Sequence, residues 1–129
     1  MKYLICVLIL IVSDCTASRL TVLPEKNELT IATVNYKYRD VIEIKGGVVN
    51  ESSMSVSITP NDSGLVWNPE EVKYAFDGYD GVNKYYHRII ISGIPKKPGD
   101  YSVTISGFIL GTMRSGQDLY KRYTIKIKQ

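Results

Sequence analysis

The stretch Ile91-Ser-Gly-Ile-Pro-Lys-Lys-Pro-Gly-Asp-Tyr-Ser-Val-Thr-Ile-Ser106 decides the fold class of this chain. Gly93 tolerates a positive φ, and Pro95 forces the residue before it into an extended conformation. Pro98-Gly99 suits the two central positions of a type II turn. After that turn, apolar residues alternate with hydroxyl residues, which predicts a strand that is buried on one face. The apolar residues of this strand are Tyr101, Val103 and Ile105.

The same period of two recurs along the chain. Apolar and polar residues alternate from Ser53 to Thr59 and again from Tyr123 to Ile127, and turn clusters rich in Gly, Pro, Asn and Asp separate such runs. Asn68-Pro69 could begin a single helical turn, but no window keeps a helical period over three turns. Short strands separated by frequent turns predict an all-β sandwich or barrel in a single domain.

The stretch from Ile91 to Ser106 resembles the I-x-G-x-P-x-x-x-G-x-Y-x-V signature of immunoglobulin-like (cadherin-like) domains in bacterial surface and secreted proteins. Ser63-Gly64-Leu65-Val66-Trp67 is similar to the G-L-x-aromatic element of that family. Tyr36 to Gly47 resembles its early strand, and Tyr123 to Ile127 resembles its closing strand. The resemblance implies an immunoglobulin-like β-sandwich of about seven strands that serves as an interaction or adhesion-type module.

Two segments depart from the family pattern. The segment from Asn68 to Arg88 is longer than the family usually has there, and Gly107-Phe-Ile-Leu-Gly111 replaces a short polar run. We expect function in these two segments, because the motif around Gly93 and Tyr101 serves the fold.

The first 17 residues are predicted to be a secretory signal peptide. Lys2 precedes the apolar run Leu4 to Val12, and small or polar residues follow up to Ser18, which are the three regions of such a signal. The run is too short for a membrane span, which needs about 20 residues. We therefore predict an exported domain over residues 18–129, periplasmic or secreted, with no transmembrane segment after cleavage. A buried N-terminal strand is the alternative.

Both cysteines, Cys6 and Cys15, lie in this leading segment. The exported domain would then contain no disulfide and would depend on its core for stability. Cys15 would be the lipidation site of a lipoprotein, but Asp14 stands where such signals have a small residue. We therefore favour ordinary cleavage.

Composition and motifs argue against several classes of function. The net charge of +3 at pH 7 is too small for a dedicated nucleic-acid-binding protein, which would concentrate basic residues on one face. The single histidine, His87, lies in a candidate strand, and no catalytic Ser or metalloprotease motif is present. We predict no enzyme activity, cofactor or metal. Asp77 and Asp80 could contribute to a calcium site, but Asp-Gly pairs are typical of hairpin turns, which is the interpretation that we favour.

A binding function is better supported than catalysis. Several tyrosines lie next to lysine or arginine, and the apolar run Phe108-Ile109-Leu110 lies between two glycines near the last strands. Tyrosine provides large contact areas with little loss of rotamer freedom. The apolar run could form an exposed hairpin tip or fold over the core. The cations of the last strand could meet an anionic envelope surface or guard an edge strand. The candidate partner-binding residues are Tyr79, Tyr85, Tyr86, Phe108, Ile109, Leu110, Arg122, Lys126 and Lys128.

The sequence therefore predicts an exported, non-enzymatic interaction module of a bacterium that binds a protein partner, of the adhesion or virulence-accessory type. Two alternatives stay open. One is a periplasmic inhibitor or immunity-type protein that acts through the loop from Gly107 to Gly116. The other is a carbohydrate-binding β-sandwich that uses Trp67 and exposed tyrosines.

Overall fold

A computed structural model describes residues 19–111 and 115–129 of the protein. The predicted signal peptide and its cysteines lie outside the described residues. The described part of the chain contains one 3-10 helix, Glu51–Ser53, and nine strands. The strands are β1 (Thr21–Leu23), β2 (Ala32–Thr33), β3 (Tyr38–Lys45), β4 (Val48–Val49), β5 (Ser55–Thr59), β6 (Leu65–Phe76), β7 (Tyr79–Gly93), β8 (Gly99–Leu110) and β9 (Gln117–Lys128).

The strands form two sheets. The first has the order β1-β3-β7-β6 and is antiparallel throughout. In the second, β9 lies between β2 and β8, and both β4 and β5 pair with the other side of β8. β2 runs parallel to β9. The prediction of an all-β sandwich is confirmed. The strands number nine instead of about seven, because β2 and β4 are too short to produce an alternating pattern in the sequence.

The core lies between the two sheets and is built from the inward residues of each strand. Tyr101, Val103 and Ile105 are at most 2% exposed, so the predicted buried face of β8 is confirmed. Each aliphatic side chain of this size contributes about 1.5–3 kcal/mol when it is fully buried. The other core residues are Leu29, Ala32, Tyr38, Ile42, Ile44, Val49, Leu65, Ile89, Ile91, Ile109, Leu119, Tyr123, Ile125 and Ile127.

The link from β7 to β8 differs in part from its prediction. Gly93 has a φ of 136°, and a Cβ at this position would collide with the carbonyl oxygen of Gly64, so a positive φ and a missing side chain are both required. Pro98-Gly99 does not form the predicted type II turn, because Gly99 already begins β8. The hydroxyl of Tyr101 closes the link instead: it donates to the Lys97 carbonyl (2.6 Å) and accepts the Lys97 amide (3.3 Å).

The predicted helical turn at Asn68-Pro69 is wrong, because both residues lie in β6 and pair with Ile90 and Ile89. β6 is the edge strand of its sheet, and a proline is tolerated at an edge, where its missing amide breaks no ladder. Across residues 19–111 and 115–129, no helix is long and apolar enough to cross a membrane.

Candidate interaction surface

A two-stranded arm projects from the first sheet. It consists of Glu70–Phe76 of β6 and Tyr79–Tyr85 of β7, joined by the turn Asp77-Gly78. β3 pairs with β7 only as far as Arg88, so in the described chain the arm has no third strand. Most of its residues are exposed. The arm lies within the segment from Asn68 to Arg88, one of the two segments in which the sequence led us to expect function.

The arm ends in a two-residue turn. Asp77 and Gly78 have φ values of 48° and 80°, and Phe76 pairs with Tyr79 across them, the geometry of a type I′ hairpin turn. This is the turn that the Asp-Gly pair favours. Asp80 lies in the ladder opposite Ala75, so the two aspartates do not share one loop. Within residues 19–111 and 115–129, no group of three or more His, Cys, Asp or Glu side chains could hold a metal ion.

The pairing register separates the side chains of the arm into two faces, because residues directly opposite in an antiparallel ladder point to the same side. The aromatic face is formed by Val72, Tyr74, Phe76, Tyr79 and Tyr85. The opposite face is formed by Glu71, Lys73, Ala75, Asp80, Val82 and Lys84. Phe76 is 76% exposed and Tyr79 is 77% exposed. The tip of the arm therefore presents two aromatic rings to solvent.

The ring of Tyr74 lies across the facing strand. Tyr74 pairs with Gly81, and a Cβ added to that glycine would collide with the tyrosine ring and its hydroxyl. A glycine in a strand leaves a gap that an aromatic side chain from the facing strand can cover. Gly81 therefore keeps the middle of the aromatic face flat.

A bulge sets the direction in which the arm leaves the sandwich. The register shifts between Pro69 and Glu70, so β6 offers no partners to the residues from Tyr86 to Arg88. Arg88 Nε lies 2.8 Å from Glu70 Oε2, an ion pair across the bulge. His87 Nε2 donates a hydrogen bond to the carbonyl oxygen of Gly47 (2.9 Å). The first contact joins the two strands at the base of the arm, and the second joins β7 to the connection between β3 and β4.

A groove of about 560 Å³ runs beside the base of the arm. One wall is the strand from Val82 to His87, and the other is formed by Val48, Val49 and Glu51. The lining combines apolar, acidic and basic side chains. The groove is a concave surface, but its lining does not bring together groups of one chemical kind.

The predicted tyrosines fall in two different environments. Tyr79 and Tyr85 lie on the aromatic face of the arm and are exposed. Tyr86 packs against the core instead, because successive side chains of a strand point to opposite sides and Tyr86 directly follows Tyr85. Trp67, the candidate for carbohydrate stacking, is also partly buried against the core.

The apolar run Phe108, Ile109 and Leu110 does not form a hairpin tip. β8 continues to Leu110, and Ile109 pairs with Val49 on one side and with Gln117 on the other. Ile109 is 3% exposed and belongs to the core, so of the two arrangements left open by the sequence it has the one folded over the core and is not accessible to a partner. Phe108 is partly buried, whereas Leu110 is 44% exposed. The sequence gives no sign of β4, which supplies the cover over Ile109.

The cations of the last strand lie on the second sheet, away from the aromatic face. Arg122 donates to Ser102 Oγ (3.0 Å), and Lys126 Nζ lies 3.9 Å from Glu28. Lys128 is exposed. The idea that these residues guard an edge is wrong for the second half of β9, because β2 pairs there in parallel. Sequence reasoning missed this cover because β2 is only two residues long.

Sequence reasoning also missed three members of the aromatic face, Val72, Tyr74 and Phe76. A signal was available, since these large residues alternate with Lys73 and the small Ala75 directly before Asp77-Gly78. A hairpin centred on that pair would have brought them onto one side with Tyr79.

Comparison with known proteins adds no relative. No family model matches the chain, and neither the curated proteins nor the solved structures include a significant match.

Proposed function

We propose that the protein is an exported, non-enzymatic interaction module that binds a protein partner through the β6–β7 arm. The observation that carries this proposal is the aromatic face, whose two tip rings, Phe76 and Tyr79, are each about three-quarters exposed. Contiguous exposed apolar surface on a small protein is often a binding site.

The chemistry of the arm favours a protein partner. Aromatic rings are enriched at the centres of protein interfaces, and charged residues are depleted there. The arm follows this division, since its charges, apart from Glu70 and the turn aspartate Asp77, lie on the opposite face. An isolated two-stranded hairpin is at best marginally stable in water. Burial of its aromatic face in a complex would stabilise it.

The order of the strands supports the immunoglobulin-like resemblance. In the constant-type fold, strands A-B-E-D pack on strands C-F-G. When β1, β3, β5, β6, β7, β8 and β9 are taken as A to G, the orders β1-β3-β7-β6 and β5-β8-β9 follow this arrangement, and β2 and β4 are additional to it. The hydroxyl of Tyr101, bonded to Lys97 at the start of β8, is similar to the tyrosine corner of that fold. In variable domains of this fold the loops at one end form the binding site, and the arm is the extended end of the β6–β7 hairpin.

Export rests on the sequence of residues 1–17. Its test is fractionation of a bacterium that expresses the full chain, followed by N-terminal sequencing of the recovered protein. We expect periplasmic or secreted protein that begins at residue 18 or 19. Full-length protein in the cytoplasmic fraction would contradict export.

The binding proposal is tested by affinity capture with matched variants. A tagged chain is expressed in cells that also express the untagged chain, and the captured proteins are quantified. Phe76→Ser combined with Tyr79→Ser removes the tip rings, whereas Val82→Ser removes an apolar side chain from the opposite face of the same arm. We expect a partner that is retained by Val82→Ser and lost by the double variant. Equal capture by wild type and both variants would show that the arm is not the binding surface.

A further inference from the structure

We infer that the partner of the aromatic face is a second copy of this chain, so that two arms pack face to face across a two-fold axis. This inference rests on the proposed function, because it names the partner of the same arm.

The charge distribution permits two identical faces to meet. Glu70 is the one charged residue in the register of the aromatic face, and Arg88 neutralises it at 2.8 Å. The other charges of the ladder, on Glu71, Lys73, Asp80 and Lys84, belong to the opposite face. Two copies of a protein with net charge +3 can therefore bring these faces together without placing like charges against each other.

The exposed area of the aromatic face is large enough for the interface of a specific dimer. Its four rings are between 44% and 77% exposed, and an aromatic side chain buries about 150–250 Å² when it is fully covered. At these exposures the rings of one copy offer about 500 Å². Two such faces give about 1,000 Å², the lower bound for a specific interface.

The shape of the face suits a two-fold arrangement. The arm is a ribbon of seven residues in each strand, about 20 Å long. Its tip carries Phe76 and Tyr79, and its middle is flat where Tyr74 lies over Gly81. An antiparallel pair of arms sets the tip rings of each copy over Val72 and Tyr85 of the other. Each contact is then made twice, as an isologous interface requires.

The test is sedimentation velocity on protein recovered from cells that express the full chain, at concentrations from micromolar to submillimolar. We expect a reversible monomer–dimer equilibrium for the wild type and for Val82→Ser. Phe76→Ser combined with Tyr79→Ser should weaken dimerisation at least about tenfold. Gly81→Val displaces the Tyr74 ring from the aromatic face and, as a second variant, should also weaken dimerisation. Circular dichroism establishes that each variant is folded.

A wild type that stays monomeric over the whole range overturns the inference, as does a folded double variant that dimerises like the wild type. A monomer that captures a different protein through Phe76 and Tyr79 also overturns it, but leaves the proposed function standing. A monomer with no arm-dependent capture overturns both.

Discussion

Glu70 and Arg88 face each other across the bulge at the base of the arm, with Oε2 and Nε 2.8 Å apart. The ladder between β6 and β7 loses its register at this point, so this pair joins the two strands where their hydrogen bonds are interrupted. The two side chains are 30% and 42% exposed, and solvent screening limits such pairs to about 0.2–1 kcal/mol. The pair therefore orients the arm more than it stabilises the sandwich.

Glu70→Gln should loosen the arm and leave the sandwich almost unchanged. The substitution removes the charge on Glu70 but keeps the size of its side chain. We expect faster amide exchange in residues 71–85 and a loss of at most about 1 kcal/mol in the free energy of unfolding. Hydrogen exchange followed by mass spectrometry measures both regions in one experiment. Glu71→Gln, on the opposite face, is the control, and equal exchange in the two variants would contradict an orienting role.

Ile109→Asp should prevent stable folding, whereas Leu110→Asp should not. Ile109 is 3% exposed beside β4, and Leu110 is 44% exposed. A carboxylate at the buried position loses an aliphatic side chain from the core and leaves a charge without a partner, a cost of about 3–5 kcal/mol or more. At the exposed position we expect a change of about 0.5 kcal/mol. Thermal unfolding of the two variants measures the difference in stability. Similar unfolding midpoints would show that Ile109 is not a core residue.

The sandwich should lose stability in alkaline solution. Burial, together with the negative charge of Asp40, raises the pKa of Tyr123 from 10.0 to about 12, and its hydroxyl donates to the Pro24 carbonyl (2.7 Å). Between pH 10 and 12 the unfolded chain releases this proton and the folded protein keeps it, so the free energy of unfolding falls as the pH rises. Below pH 10 the group contributes no pH dependence.

Chemical unfolding at a series of pH values checks this expectation. Burial, with the charge of Asp40, also raises the pKa of Tyr38, so this residue adds to the same decline. Tyr123→Phe should make the decline shallower, because the variant has one fewer group to titrate. A decline of unchanged steepness in Tyr123→Phe would assign the effect to other groups.

Tyr101→Phe should destabilise the link between β7 and β8. The hydroxyl of Tyr101 satisfies both backbone groups of Lys97, and its removal leaves them without that partner. Lys97 is exposed, so water can replace the hydroxyl, and we expect a loss of about 0.5–1.5 kcal/mol in the free energy of unfolding, measured by denaturant unfolding. Tyr120→Phe, at a side chain that is 70% exposed, is the matched control. Equal stability of the two variants would show that the link holds without the hydroxyl.

The class of fold could be predicted because its signal is local. Alternation along a strand reflects the pleat of the backbone, so the buried face of β8 is visible in Tyr101, Val103 and Ile105 without knowledge of any neighbouring strand. The turn at Asp77-Gly78 is local in the same sense, since it depends on residues that accept a positive φ. The requirement for glycine at position 93 was also visible, although the clash with Gly64 that enforces it was not.

The binding surface could not be predicted with the same success, because exposure depends on which strands lie beside a residue. Ile109 and Phe76 both lie among apolar residues close to a glycine, so their local sequences look alike. β4 covers Ile109. β3 leaves the first sheet after Lys45, and no described strand takes its place beside the arm. The sequence by itself determined the β-sandwich class, because apolar and polar residues alternate along its strands and turn residues separate them. The tertiary structure decided which of its apolar faces is core and which is left open to a partner, since that choice is made by strands distant in the sequence.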